Sequence, residues 1–146
     1  MPAHAGLGIV QGIRVRRAFA GAEELAFAAR LPGVSGYPVF SPDGNYVAVF
    51  ARTERVRSLL LLDVRKGGIK KRYPIELPVD QASQPAYSPD GRTICYVSDR
   101  EGRPRLYLIS AAGGASRRLV TDSAECVSPD WSPVSNQICF STREDG

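Results

Sequence analysis

Pro85-Ala86-Tyr87-Ser88-Pro89-Asp90-Gly91 is followed by an apolar run, Ile94-Cys95-Tyr96-Val97, and then by Ser98-Asp99-Arg100-Glu101-Gly102. A second apolar run, Leu106-Tyr107-Leu108-Ile109, leads to Ala112-Gly113-Gly114 and Arg118-Leu119-Val120. These are four short strand candidates separated by turn signals. Pro presets φ, Asp bonds the backbone two residues on, and Gly accepts positive φ. The stretch from Gln84 to Val120 therefore reads as a four-stranded antiparallel meander.

The unit recurs. Ser41-Pro42-Asp43-Gly44 matches Ser88-Pro89-Asp90-Gly91, and Ser132-Pro133 matches again. Tyr37-Pro38-Val39-Phe40, Gln84-Pro85-Ala86-Tyr87 and Pro129-Asp130-Trp131 precede the three turns. A period of about 45 residues with four strands per unit is the signature of a β-propeller blade. The fold class is all-β, with residues 37–83 and 84–128 as blades and 129–146 as the start of another. Residues 1–36 are an atypical segment, read as a partial blade or a cap. Asp43, Gly44, Asp90 and Gly91 are structural turn residues.

The pattern Pro-x-aromatic-Ser-Pro-Asp-Gly, apolar strand, Ser-Asp-Arg-x-Gly, apolar strand, Gly-Gly, Arg-Arg-Leu resembles the blade repeat of the TolB-like β-propeller family. Related repeats occur in the propellers of prolyl-oligopeptidase-like peptidases. The resemblance covers residues 37–146. It implies a protein-binding module that contacts a partner protein around the central channel. The rim loops joining blades then offer Gln81, Gln84, Glu125 and Ser128 as binding residues. Two other functions stay open: a propeller accompanying a serine peptidase domain, and a sensor propeller that binds a small ligand. Val134-Ser135 replaces Asp-Gly in the third turn, which is expected to be less tight.

A ring needs about four to eight blades, so it is expected to be incomplete in one chain. The chain is then a fragment of a longer protein, or its copies associate. Two copies would supply about five to six blades, so a homo-oligomer is expected, each end of the stack presenting an apolar sheet face. The alternative is a monomer whose N-terminal 36 residues cap one face.

In chain order, Gly12 to Arg17 alternates apolar and basic residues as a strand does. Ile13 to Arg17 is a candidate donor for a missing strand. Residues 18–30 hold strong helix formers, but Glu24 to Ala28 resembles Tyr46 to Phe50, which favours a strand. Leu31 to Gly36 reads as a loop and Thr121 to Ser128 as a connecting loop. The unbroken run Leu59 to Leu62 reads as a strand buried on both faces. Lys70, Lys71 and Arg72 mark an outermost strand, where charge blocks unwanted pairing. Arg117 and Arg118 repeat that edge charge. The remainder of that reading for the basic run is contact with phosphate or a membrane surface.

Nineteen basic and 15 acidic residues leave a net charge of +4, too modest to argue for nucleic acid. No recognised nucleic-acid module pattern is present. No apolar run is long enough for a membrane span. Residues 1–10 do not resemble a secretory signal, which leaves a cytoplasmic protein or a fragment of an exported one. Cys95 and Cys139 occupy equivalent positions of successive units, with Ala48 in the same slot of the first. They are expected to be buried free thiols, with Cys126 the more exposed. No metal, cofactor or catalytic residue is assigned: His4 is the only histidine, and there is no Gly-x-Ser-x-Gly elbow. Asp43, Asp63, Asp90, Asp99 and Asp130 look like an acidic array, but they are spread through the repeats, whereas calcium needs six to eight converging oxygens.

Overall fold

The computed structural model describes residues 12–19, 22–30, 34–52, 57–74, 84–119, 121 and 123–144. Its elements are all strands, and each pairs antiparallel with a neighbour in sequence. β1 (Gly12–Phe19) and β2 (Ala22–Arg30) form a hairpin. β3 (Val34–Phe40), β4 (Tyr46–Arg52), β5 (Arg57–Asp63) and β6 (Ile69–Pro74) form the first four-stranded meander. β7 (Ala86–Tyr87), β8 (Thr93–Ser98), β9 (Arg105–Ser110) and β10 (Arg117–Arg118) form the second. β11 (Glu125–Trp131) and β12 (Ile138–Arg143) make a final hairpin. The described strands form an incomplete propeller ring. Among the described residues no helix is long and apolar enough to cross a membrane.

Successive side chains of a strand point to opposite faces, and here both faces are used. Leu59 and Leu61 pack with Ala48 and Tyr73 against Ile94, Tyr96, Tyr107 and Ile109 of the second sheet. Leu60 and Leu62 point the other way, into a cluster with Val47, Val49 and Ala51. The leucine run is thus buried on both sides. The second sheet repeats the arrangement: Cys95, Val97, Leu106 and Leu108 turn from the first sheet and pack on Cys126 and Trp131 of β11. Each buried aliphatic side chain contributes about 1.5–3 kcal/mol of transfer free energy. Tyr96 and Tyr107 are register partners whose rings stack with centroids 5.9 Å apart.

Several expectations are corrected. β3 begins at Val34, inside the segment read as a loop, because Val34 and Ser35 pair with Arg52 and Ala51. β11 begins at Glu125, inside the segment read as a connection, because Glu125 to Val127 pair with Arg143 to Ser141. Residues 22–30 form a strand, the reading the sequence favoured over a helix. β1 pairs with β2 and does not complete the sheet of β12, contrary to its reading as a strand donor. The apolar end faces are not open as expected. The outer face of β4 and β5 is buried, and the outward residues of β12, Cys139, Ser141 and Arg143, are mostly polar.

The cysteines depart from expectation in an instructive way. Cys95 and Cys126 are buried, and Cys139 is exposed. Ala48, Cys95 and Cys139 share one slot, which faces the following sheet. Ala48 meets the second sheet, and Cys95 meets β11. The described residues bring no further sheet onto Cys139. Cys126 is 0 % exposed because β11 starts early and carries it into that same interface.

Burial pushes the Cys95 thiol up to about 12, so little thiolate exists there near neutral pH. A disulfide-exchange reagent is expected to modify one thiol, Cys139, in the native protein and all three after denaturation. Cys139→Ser should abolish the native signal. Rapid native reaction at Cys95 or Cys126 would contradict the packing.

Candidate functional site

The inner strands end in a repeated hydrogen-bond cage. In the first sheet Ser41 Oγ donates to Asp43 Oδ1 at 2.6 Å and accepts the Tyr46 N–H at 3.0 Å. Asp43 Oδ1 also accepts the Asn45 N–H at 2.9 Å, and the Gly44 N–H reaches the Ser41 carbonyl at 2.9 Å. The second sheet repeats each contact: Ser88 Oγ to Asp90 Oδ1 at 2.6 Å, with the Arg92 N–H at 3.0 Å on Asp90 Oδ1. The Thr93 N–H lies 3.0 Å from Ser88 Oγ. Gly44 and Gly91 sit at φ of 72° and 70°, where a side chain is strained.

The third turn keeps the closure, Ser132 N–H to Gln137 carbonyl at 2.8 Å, but reverses the hydroxyl. With Val134 in the aspartate position, Ser132 Oγ accepts the Val134 and Ser135 N–H groups at 3.3 and 3.1 Å. The cage is looser, as the substitution implies.

These turns shape a groove of about 580 Å³ across the ends of β3, β7 and β11. Phe40, Tyr87 and Trp131 line it; each is the residue immediately before a Ser-Pro turn. Five prolines of the same motifs complete an apolar, rigid wall. Phe40 is 51 % exposed, while Tyr87 and Trp131 are nearly covered. The Tyr87 hydroxyl and Trp131 Nε1 have no hydrogen-bond partner among the described residues.

Of the residues singled out for binding, Gln84 and Ser128 line this groove together. Gln84 Nε2 donates to the Pro38 carbonyl at 3.3 Å, tying the second inner strand to the first. Ser128 has a φ of 52°, in the left-handed region uncommon for residues other than glycine. It lies where the pairing of β11 with β12 shifts, between Val127 and Asp130. Glu125 stands at the other end of β11, opposite Arg143, outside the groove. Gln81 lies outside the described residues. The three aromatic residues were missed as a set. Their signal was their common position before each Ser-Pro.

A second cleft, of about 710 Å³, lies between the two Ser-Pro-Asp-Gly turns and includes Asp43, Asp90, Tyr46 and Lys70. Hydrogen bonds from Ser41 and the Asn45 backbone hold Asp43 below the usual carboxylate range. Those from Ser88 and the Arg92 backbone do the same to Asp90. Asp63 is likewise lowered by the Lys66 N–H, which it accepts at 2.9 Å. These carboxylates are turn caps. Among the described residues no group of three or more His, Cys, Asp or Glu side chains is placed to hold a metal.

Residues 18–146 match the family described as the TolB beta propeller domain. The chain belongs to that family. A TolB of known structure, from Acinetobacter baumannii, superposes with a TM-score of 0.73 at 24 % identity, covering 92 % of this chain and 33 % of that one. The putative TolB from Agrobacterium tumefaciens gives 0.65 at 22 % identity, covering 85 % of this chain and 43 % of that one. At these identities the two structures speak for the fold. Among curated proteins, the uncharacterized peptidase YuxL of Bacillus subtilis is 32 % identical over 108 residues, 69 % of this chain and 16 % of its own length. The Tol-Pal system protein TolB of Alcanivorax borkumensis is 36 % identical over 63 residues, 42 % of this chain and 14 % of its own. This TolB-family chain thus spans a small part of the curated relatives it matches.

Two outcomes test the TolB-family turn. Ser88→Ala removes a donor to Asp90 and an acceptor for the Thr93 N–H, and is expected to cost about 1–3 kcal/mol in denaturant unfolding. Ser132→Ala, in the looser turn, should cost less. The depressed carboxylates set the pH response. Their contribution is fully present above the unfolded value of about 3.9 and is lost as pH falls toward the lower folded values. Acid unfolding should therefore be less steep in Asp43→Asn/Asp90→Asn than in the native chain. An unchanged profile would remove the turn carboxylates from the acid response.

Proposed function

We propose that the chain is a non-catalytic, protein-binding propeller module whose groove at the inner strands receives a partner protein. The observation that carries this reading is the convergence of Phe40, Tyr87 and Trp131 on one groove from three successive repeats. An exposed aromatic in a rigid apolar wall is the composition of an interface anchor. Gln84 and Ser128 supply polar contacts at its edge; Gln81 and Glu125 stay candidates for contact with the same partner beyond the groove. The boundaries 37–83, 84–128 and 129–146 serve as the repeating units, preceded by 1–36. TolB relatives are named for the Tol-Pal system, so a component of such a system is the partner class to test first.

Trp131 is the chain's single tryptophan, so its fluorescence reports on the groove directly. Titration with purified Tol and Pal proteins from the same source is expected to change that emission. Phe40→Ala should weaken binding roughly tenfold, with Gln84→Ala giving a smaller loss. An equal loss on Glu125→Ala would extend the surface along β11. Unchanged binding in both Phe40→Ala and Gln84→Ala would remove the groove from the interface.

A second reading rests on the similarity to YuxL: the blades accompany a hydrolase domain in a longer protein. Self-association is a further part of the main reading. The face of β12 that carries Cys139 is exposed, and the described residues bring no further sheet onto it. Two copies joined there extend the stack toward a closed ring. Light scattering after size exclusion should then show a dimer that dissociates on dilution. A monomer at every concentration, or a dimer whose Cys139 stays fully reactive, would discard this face as the contact.

A further inference from the structure

We infer that the outer edges of the two four-stranded sheets together form a docking surface for an anionic membrane. β6 and β10 are the fourth strands of their sheets. The sheets pack face to face through a shared cluster, which sets neighbouring edges about 10 Å apart. Tyr73 Oη donates to the carbonyls of Ser110 and Ala111 at 3.2 and 3.0 Å, and Lys71 Nζ to that of Ala112 at 3.1 Å. These contacts fix β6 against the turn that leads into β10.

Lys70, Lys71, Arg72, Arg117 and Arg118 stand on these two edges; neither strand carries a carboxylate, although Arg118 pairs with Glu101 of the preceding hairpin at 2.9 Å and Lys70 lies over the Tyr46 ring. Arg65 and Lys66 occupy the turn into β6. Across residues 57–74 and 84–118, Lys and Arg number 12 against 4 Asp and Glu. These residues therefore carry a larger basic excess than the net charge of +4 for the whole chain. Protection against edge pairing explains charge on each strand taken alone. It does not require neighbouring edges to share a sign, an arrangement that costs repulsion. A partner carrying many negative charges offsets that cost.

The shape and composition of these edges select the partner. Tyr73 is the one aromatic residue on the two edge strands, and it is buried, so no platform exists for stacking bases. Ile69 opens β6 and is 42 % exposed. It adds an apolar side chain that can enter the headgroup boundary beside the cations. A surface of lipid phosphates can meet charges carried on both edges, since successive cations of β6 leave the strand on opposite sides and no single small anion reaches them together.

Co-sedimentation of the whole chain with vesicles tests the inference. Binding is expected with phosphatidylcholine vesicles containing phosphatidylglycerol, not with phosphatidylcholine alone, and should collapse as salt shortens the screening length. Arg72→Gln and Arg117→Gln should each weaken it roughly fivefold, and Arg143→Gln, the same charge loss on β12, by less than about twofold. Circular dichroism verifies that each variant folds. Absence of binding at low salt would leave the charges as edge protection only and overturn the proposal. So would an equal loss in Arg143→Gln, or tighter binding to a short DNA duplex than to the anionic vesicles.

Discussion

Burial on both faces of each central strand is the constraint on which this structure depends. β5 places Leu59 and Leu61 on one side and Leu60 and Leu62 on the other, each buried. β8 and β9 do the same, with Ile94, Tyr96, Tyr107 and Ile109 against the first sheet and Cys95, Val97, Leu106 and Leu108 against β11. A register slip of one residue would exchange the two sets. Because both sets are apolar, hydrophobicity alone does not forbid that slip. Shape and turn geometry must. The large Tyr96 and Tyr107 fill the interface between the full sheets, while the small Cys95 packs on the side of β11.

The Ser-Pro-Asp-Gly cage supplies the missing register control. Its Ser41–Tyr46 and Ser88–Thr93 backbone closures are 2.9 Å long, so the pairing of the inner strand with the next begins at a fixed residue. The side-chain bonds stiffen the loop from within. The same device makes the groove. The residue before each Ser-Pro must lie at the inner edge of its sheet, and there Phe40, Tyr87 and Trp131 line up. Fold and candidate site thus come from one local motif repeated, and a change in the motif alters both. Val134 in the third turn shows the coupling: the hydroxyl of Ser132 no longer meets a carboxylate, yet the strand closure survives and Trp131 keeps its place.

What was legible in the sequence was what the chain determines locally. The short apolar runs, the repeat spacing and the turn chemistry gave both meanders and the charged edge strands. The misread features depend on which sheet covers which face. Cys139 has the sequence surroundings of Cys95, but its exposure is set by a neighbour that the described residues do not supply. Glu125 to Ser128 read as a loop because Ser, Pro and Asp surround them, yet pairing with β12 across a register shift makes them a strand. The groove was half legible. Gln84 and Ser128, read from the sequence as rim candidates, line the same groove, whereas the aromatic set required seeing three distant residues as one surface. Glu125, in the same connection as Ser128, is carried away by the length of β11.

Each four-stranded sheet also runs a gradient from its inner to its outer edge. The inner end is apolar and proline-rich, the two central strands are buried on both faces, and the outer strand is basic. An inner strand can be as short as β7, two residues in its ladder, because the cage and the neighbouring sheets hold it. An outer strand has one paired neighbour and open water on the other side. It tolerates Lys70, Arg72, Arg117 and Arg118 because their long stems can lie along the sheet while the charges remain hydrated. The three roles therefore do not compete for the same residues. The centre can be optimised for packing while inner and outer edges keep different chemistries, and a repeat of this kind can acquire a new surface at either edge without disturbing its core.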